Sequence, residues 1–114
     1  MILSIERKQI PPDITVLEMT GRIVLGNNSR DVELRLAEIL ADHATKIIFD
    51  LSRITTLDST GVGILVVSQG KINKAGAKLR IAGPTGFVED TLKITSVDKL
   101  IQIYPSTEQA AASF

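Results

Sequence analysis

Few residues of this chain have the types and spacing that catalysis or metal binding requires. The chain contains no cysteine and a single histidine, His43, which is a poor start for a zinc site. Asp50 and Asp58 flank one predicted loop and could bind a divalent ion or form an acid–base pair. The simpler interpretation is that Asp50 satisfies loop amides and Asp58 caps a helix. The sequence therefore predicts no metal and no catalytic residue.

Two glycine patterns test for nucleotide binding, and both fail. Gly61-Val62-Gly63 is followed by Val66, where a dinucleotide-binding fingerprint needs a third glycine. Gly70-Lys71 is followed by Ile72, where a phosphate-binding loop needs serine or threonine. The sequence therefore predicts no phosphate loop and no cofactor.

Composition excludes several further classes of function. The 114 residues predict one domain, 1–114, with 13 basic and 13 acidic side chains and a formal net charge of zero. A nucleic-acid-binding protein needs a basic excess, so we expect no nucleic-acid partner. No apolar run has the length of a membrane span, and the N-terminus has no signal-peptide pattern. We therefore expect a cytoplasmic protein.

The segment Asp58-Ser59-Thr60-Gly61 is the most informative one in the chain. Asp, Ser and Thr are preferred helix N-cap residues, so capping alone could explain it. A serine at a helix N-terminus also faces unpaired amides, and the helix dipole favours a phosphate there by roughly 0.3–1 kcal/mol. Ser59 could therefore accept a phosphoryl group, which adds a charge of about −1.5 to −2. Thr60 is a second possible acceptor.

The helix that follows this segment has two different faces. At 100° per residue the predicted core side holds Gly61, Ile64, Leu65, Ser68 and Ile72. The opposite side holds Gly63, Val66, Gly70 and Asn73, flanked by Val67. Each outward glycine lowers helix stability by roughly 0.8–1 kcal/mol relative to alanine. With Val66 between them, the two glycines would form a small, partly apolar strip that a partner could approach closely. The alternative is that one or both glycines pack under another element.

Strand and helix patterns predict an α/β fold with the order β-β-α-β-α-β-α-β-α. The predicted strands are 2–8, 14–19 (ended by Gly21), 46–51, 78–82 and 100–104. The predicted helices begin after the Gly26–Ser29 loop, at 58, at 85 and after Pro105, with Phe87, Val88 and Leu92 as the apolar positions of the third. The order predicts a mixed sheet with an N-terminal hairpin and about four helices packed on it.

These features together resemble a STAS domain, specifically a bacterial anti-sigma factor antagonist. The resemblance lies in the opening hairpin, Asp50-Leu51-Ser52 at the end of a strand, and Leu57-Asp58-Ser59-Thr60-Gly61-Val62-Gly63. It extends through the strand 78–82 to the Phe87…Leu92…Thr95-Ser96-Val97 pattern, and so covers nearly the whole chain.

The resemblance implies a phosphoprotein of stress-responsive transcription regulation that acts by partner switching. The unphosphorylated antagonist binds an anti-sigma factor, which is also a serine kinase, and a PP2C-type phosphatase reverses the modification. It implies that Ser59 is the phosphoacceptor, that Asp58 orients the loop, and that Gly61 and Gly63 permit close approach. The partner-binding residues expected are Asn27, Asn28, Val62, Gly63, Val66 and Gly70. The loop 21–28 lacks the acidic residue that many antagonists carry there.

The same fold leaves other functions open. A non-catalytic subunit of a larger assembly, such as a stressosome-like scaffold or a lipid-transport ABC complex, would use the same helix face without phosphorylation. Cytoplasmic tails of anion transporters also use the fold, but we expect no membrane segment here. A small hydrolase or ligand-binding domain using Asp50, Asp58 and Ser59 ranks last, because no base accompanies Ser59. We therefore expect a binding protein that is not an enzyme.

Overall fold

A computed structural model describes residues 3–26 and 28–114, and only the backbone of Asn28 and Ser29. The elements are β1 (Ser4–Ile10), β2 (Ile14–Ile23), α1 (Asn28–Ala41), β3 (Lys46–Leu57), α2 (Ser59–Lys74), β4 (Lys78–Ala82), α3 (Gly86–Ile94), a 3-10 turn (Val97–Lys99), β5 (Gln102–Tyr104) and α4 (Thr107–Ala112). The predicted order of strands and helices is confirmed.

The five strands form one mixed sheet in the order β1-β2-β3-β4-β5. β1 and β2 are antiparallel and form the predicted N-terminal hairpin around the turn at 11–13, where proline fixes the backbone. The other neighbouring strands are parallel, because a helix lies between each of them in the chain. This arrangement confirms the predicted α/β class.

Helices cover both faces of the sheet. One face packs against α1, α2 and α3 through side chains that include Leu36, Leu65 and Leu92. The other face packs against α4 through Ile48 and Ala110, and the Arg80 guanidinium lies 4.7 Å from the centre of the Phe114 ring. Alternation along β3 divides the two faces, since Ile47 and Phe49 join the first core and Ile48 the second.

Two strands are longer than predicted, and Gly21 does not end β2. β2 continues to Ile23 and β3 to Leu57, and the two stay paired across two register shifts at which β3 gains a residue. Gly21 lies at the second shift with φ +112°, and its carbonyl oxygen accepts a hydrogen bond from Thr55 Oγ1 at 3.1 Å. The apolar pattern stops at Leu51 because the shifts break the period of two, although the backbone pairing continues.

The third helix forms where predicted, but one of its three apolar positions is exposed. Val88 and Leu92 are buried, whereas Phe87 is 84% exposed. α3 begins at Gly86, which puts Phe87 in its first turn and away from the sheet. β5 begins at Gln102 rather than at Leu100, whose side chain is also exposed.

Candidate functional site

The start of α2 is fixed by Asp58, as predicted. Asp58 has an extended backbone, and its Oδ1 accepts a hydrogen bond from the Gly61 N–H at 2.8 Å. This is the geometry of an N-cap, which satisfies one of the unpaired amides of the first helical turn. Ser59 is therefore the first residue of the helix, and its position is set by the cap.

The second oxygen of the same carboxylate reaches a different element. Asp58 Oδ2 accepts a hydrogen bond from the Leu25 N–H at 3.1 Å, in the loop between β2 and α1. The Gly61 N–H is the main cause that lowers the pKa of Asp58, and the Leu25 N–H lowers it further against the opposing effect of partial burial. The carboxylate is thus an anion that ties this loop to α2.

The two hydroxyls of the motif point into different surroundings. Ser59 is exposed, and among the side chains that the structure describes none forms a hydrogen bond with it. Thr60 is half-buried and lines a groove with Gly63. An incoming group therefore has freer access to Ser59 than to Thr60.

Gly61 and Gly63, only two residues apart, have opposite surroundings. A Cβ on Gly61 would lie 2.0 Å from the carbonyl oxygen of Ile23 and 2.6 Å from Leu57 Cδ1. Only glycine lets the first turn of α2 approach the end of β2 so closely. A Cβ on Gly63 would meet nothing within 4 Å. Gly61 thus positions the motif, and Gly63 is part of the open surface.

The outward face of α2 is open, which was one of the two alternatives that the sequence left. Gly63, Val66, Gly70 and Asn73 are exposed, and neither Gly63 nor Gly70 lies under another described element. The alternative that these glycines are covered is therefore wrong for this part of the chain. Val62 is half-buried and packs partly against the core. The five residues 63, 66, 67, 70 and 73 are called the α2 strip below.

Sequence reasoning missed a groove beside the α2 strip. It lies between α1 and α2, has a volume of about 230 Å³, and is lined by Glu33, Leu36, Thr60, Gly63, Ile64, Val67, Ser68 and Lys71. A second recess of about 340 Å³ shares Glu33, Leu36 and Lys71 and continues to Leu40 and Ala75. Lys71 Nζ lies 3.8 Å from Glu33 Oε1, so an ion pair joins the two walls. The exposed Val67 beside two outward glycines was the signal for it.

Asp50 and His43 make their contacts outside the α2 motif. Asp50 lies within β3. Its Oδ1 accepts a hydrogen bond from the Ser52 N–H at 2.9 Å, and its Oδ2 accepts one from the Thr107 hydroxyl at 3.4 Å. His43 is exposed after α1 with φ +63°, and its N–H donates to the Leu40 carbonyl oxygen. No group of three or more His, Cys, Asp or Glu residues suited to a metal ion occurs in the described chain.

The structure does not describe the side chains of the two asparagines that were expected at the partner surface. Asn27 falls outside the described residues, and Asn28 begins α1 with only its backbone described. Their partner-binding roles therefore stay predictions. Leu25, which sequence reasoning did not single out, is 78% exposed next to the motif. The described helices include none that is long and apolar enough to cross a bilayer.

Comparison with known proteins gives one consistent fold. A candidate anti-sigma factor antagonist of Thermotoga neapolitana is 24% identical over 102 residues, which is 90% of each chain. The crystal structure of a candidate antagonist from Thermotoga maritima has a TM-score of 0.86 at 23% identity and covers 96% of this chain and 92% of that one. Identities at this level show a shared fold.

Two further solved structures, a Bacillus regulator and a transporter-family protein, share the fold. The Bacillus cell fate determinant SpoIIAA in its phosphorylated form has a TM-score of 0.69 at 14% identity, covering 96% of this chain and 97% of its own. A sulfate transporter family protein of Wolinella succinogenes has a TM-score of 0.72 at 20% identity, covering 93% and 88%. The STAS domain family model matches residues 6–110. Since that match spans nearly the whole chain, the protein belongs to the STAS domain family.

Proposed function

We propose that this protein is an anti-sigma factor antagonist that acts by partner switching, with Ser59 as its phosphoacceptor. The observation that carries the proposal is the exposed hydroxyl of Ser59 on the capped end of α2, beside an open helix face. The antagonist names of its relatives and the phosphorylated form of SpoIIAA support it. Because sigma factors act in the cytoplasm, the proposal places the protein there.

The chain is the substrate of the switch and supplies no catalytic group. An anti-sigma factor that is also a serine kinase brings ATP, and Ser59 Oγ attacks the γ-phosphorus. A new oxygen–phosphorus bond forms, the bond to ADP breaks, and the serine proton leaves to a base or to water. A PP2C-type phosphatase later hydrolyses the phosphoester with water. Gly61 and Asp58 keep the acceptor on a rigid helix end throughout.

The partner-binding surface extends from Ser59 along α2. The α2 strip is flat and partly apolar, with Val66 38% and Val67 51% exposed, and the groove between α1 and α2 continues it. A phosphate at one end of this surface adds a charge of about −1.5 to −2. Like-charge contacts at an interface cost several kcal/mol, and most of the lost affinity follows from faster dissociation.

The test combines mass mapping with two variants of the full chain. We expect one added phosphoryl group on Ser59 in cells, at a level that varies with growth condition. Ser59→Ala should bind the anti-sigma factor and resist release, and Ser59→Asp should bind it at least tenfold more weakly. Thr60→Ala is the matched control and should still be released. Wild-type affinity of Ser59→Asp at physiological salt would contradict the switch.

A second candidate is a non-catalytic subunit of a larger assembly, such as a stressosome-like scaffold or a lipid-transport ABC complex. The observation that favours it is that the α2 strip and its groove are already exposed in the unmodified protein, so they offer a contact surface without phosphorylation. This candidate predicts tight association with fixed subunits, no modification in cells, and little effect of Ser59→Asp. The Ser59→Asp measurement therefore separates the two functions.

A further inference from the structure

The loop between β2 and α1 holds an exposed apolar side chain on a fixed backbone. Leu25 is 78% exposed, more than Leu34 or Leu100 among the described leucines. Its N–H nevertheless donates a hydrogen bond to Asp58 Oδ2 at 3.1 Å, across 33 positions of sequence. The backbone of Leu25 is therefore held against Asp58, the residue that precedes Ser59.

The two oxygens of Asp58 perform separable tasks. Oδ1 accepts the Gly61 N–H and caps α2, whereas Oδ2 accepts the Leu25 N–H and holds the loop. An asparagine at this position could still accept the Gly61 N–H, because Asn caps helices as well as Asp does. Its amide nitrogen would face the Leu25 N–H as a second donor, and no hydrogen bond would form there. The contact that holds Leu25 to Asp58 thus depends on the carboxylate.

A phosphoryl group on Ser59 would disturb this hold directly. It would place a charge of about −1.5 to −2 on the residue that follows Asp58. The two anions repel each other, and both compete for the same few N–H donors at the start of α2. Of the two contacts of Asp58, the one to the Leu25 N–H is the weaker, because it is the longer, at 3.1 Å against 2.8 Å to the Gly61 N–H.

We propose that Asp58 is a positioning residue that couples modification of Ser59 to the Leu25 loop. In the unmodified protein the carboxylate holds Leu25 as an apolar anchor for the anti-sigma factor, whose surface must then offer a hydrophobic socket beside the Ser59 contact. Phosphorylation releases the loop and removes the anchor in addition to placing charge at the interface. This inference rests on the proposed function.

Amide hydrogen exchange of the full chain tests the coupling without any partner. In Asp58→Asn the Leu25 amide should exchange about tenfold faster or more, as expected for the loss of a hydrogen bond to a charged group. The Gly61 amide should change by less than about twofold, because the cap is kept. Asp50→Asn, which removes a carboxylate bonded to another backbone N–H, is the control and should leave Leu25 unchanged. Unchanged Leu25 exchange in Asp58→Asn overturns the proposal.

Phosphoserine installed at position 59 during translation gives a second measurement on the native Asp58. We expect the Leu25 amide to exchange faster by a factor similar to that in Asp58→Asn, with no further increase when both changes are combined. Equal Leu25 protection with and without the phosphoryl group would overturn the coupling even if Asp58→Asn does not fold.

The anchor is tested in the Ser59→Ala background, against the anti-sigma factor that this variant binds. Leu25→Ala should lower the affinity about tenfold or more, and the matched exposed leucine, Leu34→Ala on α1, should change it less than about twofold. Equal effects of the two variants would contradict the anchor. If Ser59→Asp loses the partner while phosphoserine leaves Leu25 protected, this inference fails and the proposed function stands. If Ser59→Asp binds the anti-sigma factor as tightly as the wild-type protein does, the proposed function itself is wrong.

Discussion

At the scale of single residues, Asp58 does more than its sequence context indicated. The pattern predicts an N-cap, and the structure confirms it. The second contact, from Asp58 to Leu25, joins residues 33 positions apart and has no signature in the local sequence. A residue of the common capping type is thereby also the link between the α2 motif and the neighbouring loop.

The lowered pKa of Asp58 predicts a pH dependence of stability. The folded-state pKa lies below the ordinary value of 3.8, since the Gly61 and Leu25 N–H groups favour the anion. The stabilising contribution is therefore complete at pH values above the unfolded pKa and is lost as the pH falls through the lower folded pKa. The difference in free energy of unfolding between wild type and Asp58→Asn, from urea titrations, should be constant near neutral pH and shrink below about pH 4. A difference that does not vary with pH would contradict this account.

At the scale of elements, α2 is built on two glycines with opposite roles. Gly61 lets the helix lie against the carbonyl oxygen of Ile23, and Gly63 leaves the outward face without a side chain. The position of the whole motif depends on the first glycine, and the flatness of the α2 strip depends on the second. Helical periodicity placed both residues correctly, but it could not supply the distances.

A pair of alanine substitutions separates these roles. Gly61→Ala should lower the free energy of unfolding by about 1–3 kcal/mol or more, because the new methyl group overlaps backbone that cannot move freely. Gly63→Ala should raise it by roughly 0.5–1 kcal/mol, since the Cβ enters open space in a helix. Urea denaturation measures both. A stabilising Gly61→Ala would show that α2 can shift away from β2 without cost.

At the scale of the whole molecule, β3 joins the two hydrophobic cores of the fold. β3 lies in the middle of the five-stranded sheet and contributes buried side chains to the cores on both faces. Phe49 is fully buried there, whereas Phe87 at the start of α3 is 84% exposed. The chain has three phenylalanines, and the residue type alone does not tell which of them is buried.

The two phenylalanines therefore predict very different mutational effects. Phe49→Ala should cost about 3–5 kcal/mol, a large part of the roughly 5–15 kcal/mol that stabilises a typical domain. Phe87→Ala should change the free energy of unfolding by less than about 0.5 kcal/mol. Thermal and urea unfolding of the two variants check this contrast. Similar losses for both would mean that Phe87 is covered in the folded protein.

Local patterns of residue types were enough to predict the order of the elements, the α/β class, the cap at Asp58 and the two faces of α2. Each of these follows from local physical rules: periodicities of 2 and 3.6, turn-forming prolines, and N-cap chemistry within four residues. For the same reason Ser59 could be singled out as an exposed acceptor at a helix N-terminus. Its phosphorylation stays a prediction.

The places where distant segments of the chain meet could not be predicted in this way. The extension of β3 to Leu57 depends on pairing with β2 across two register shifts. The exposure of Phe87 depends on which turn of α3 faces the sheet, and the groove exists because α1 and α2 pack side by side. The Asp58–Leu25 contact closes a long loop. Contacts between residues far apart in the chain arise from packing the whole molecule, which no local pattern of residue types encodes.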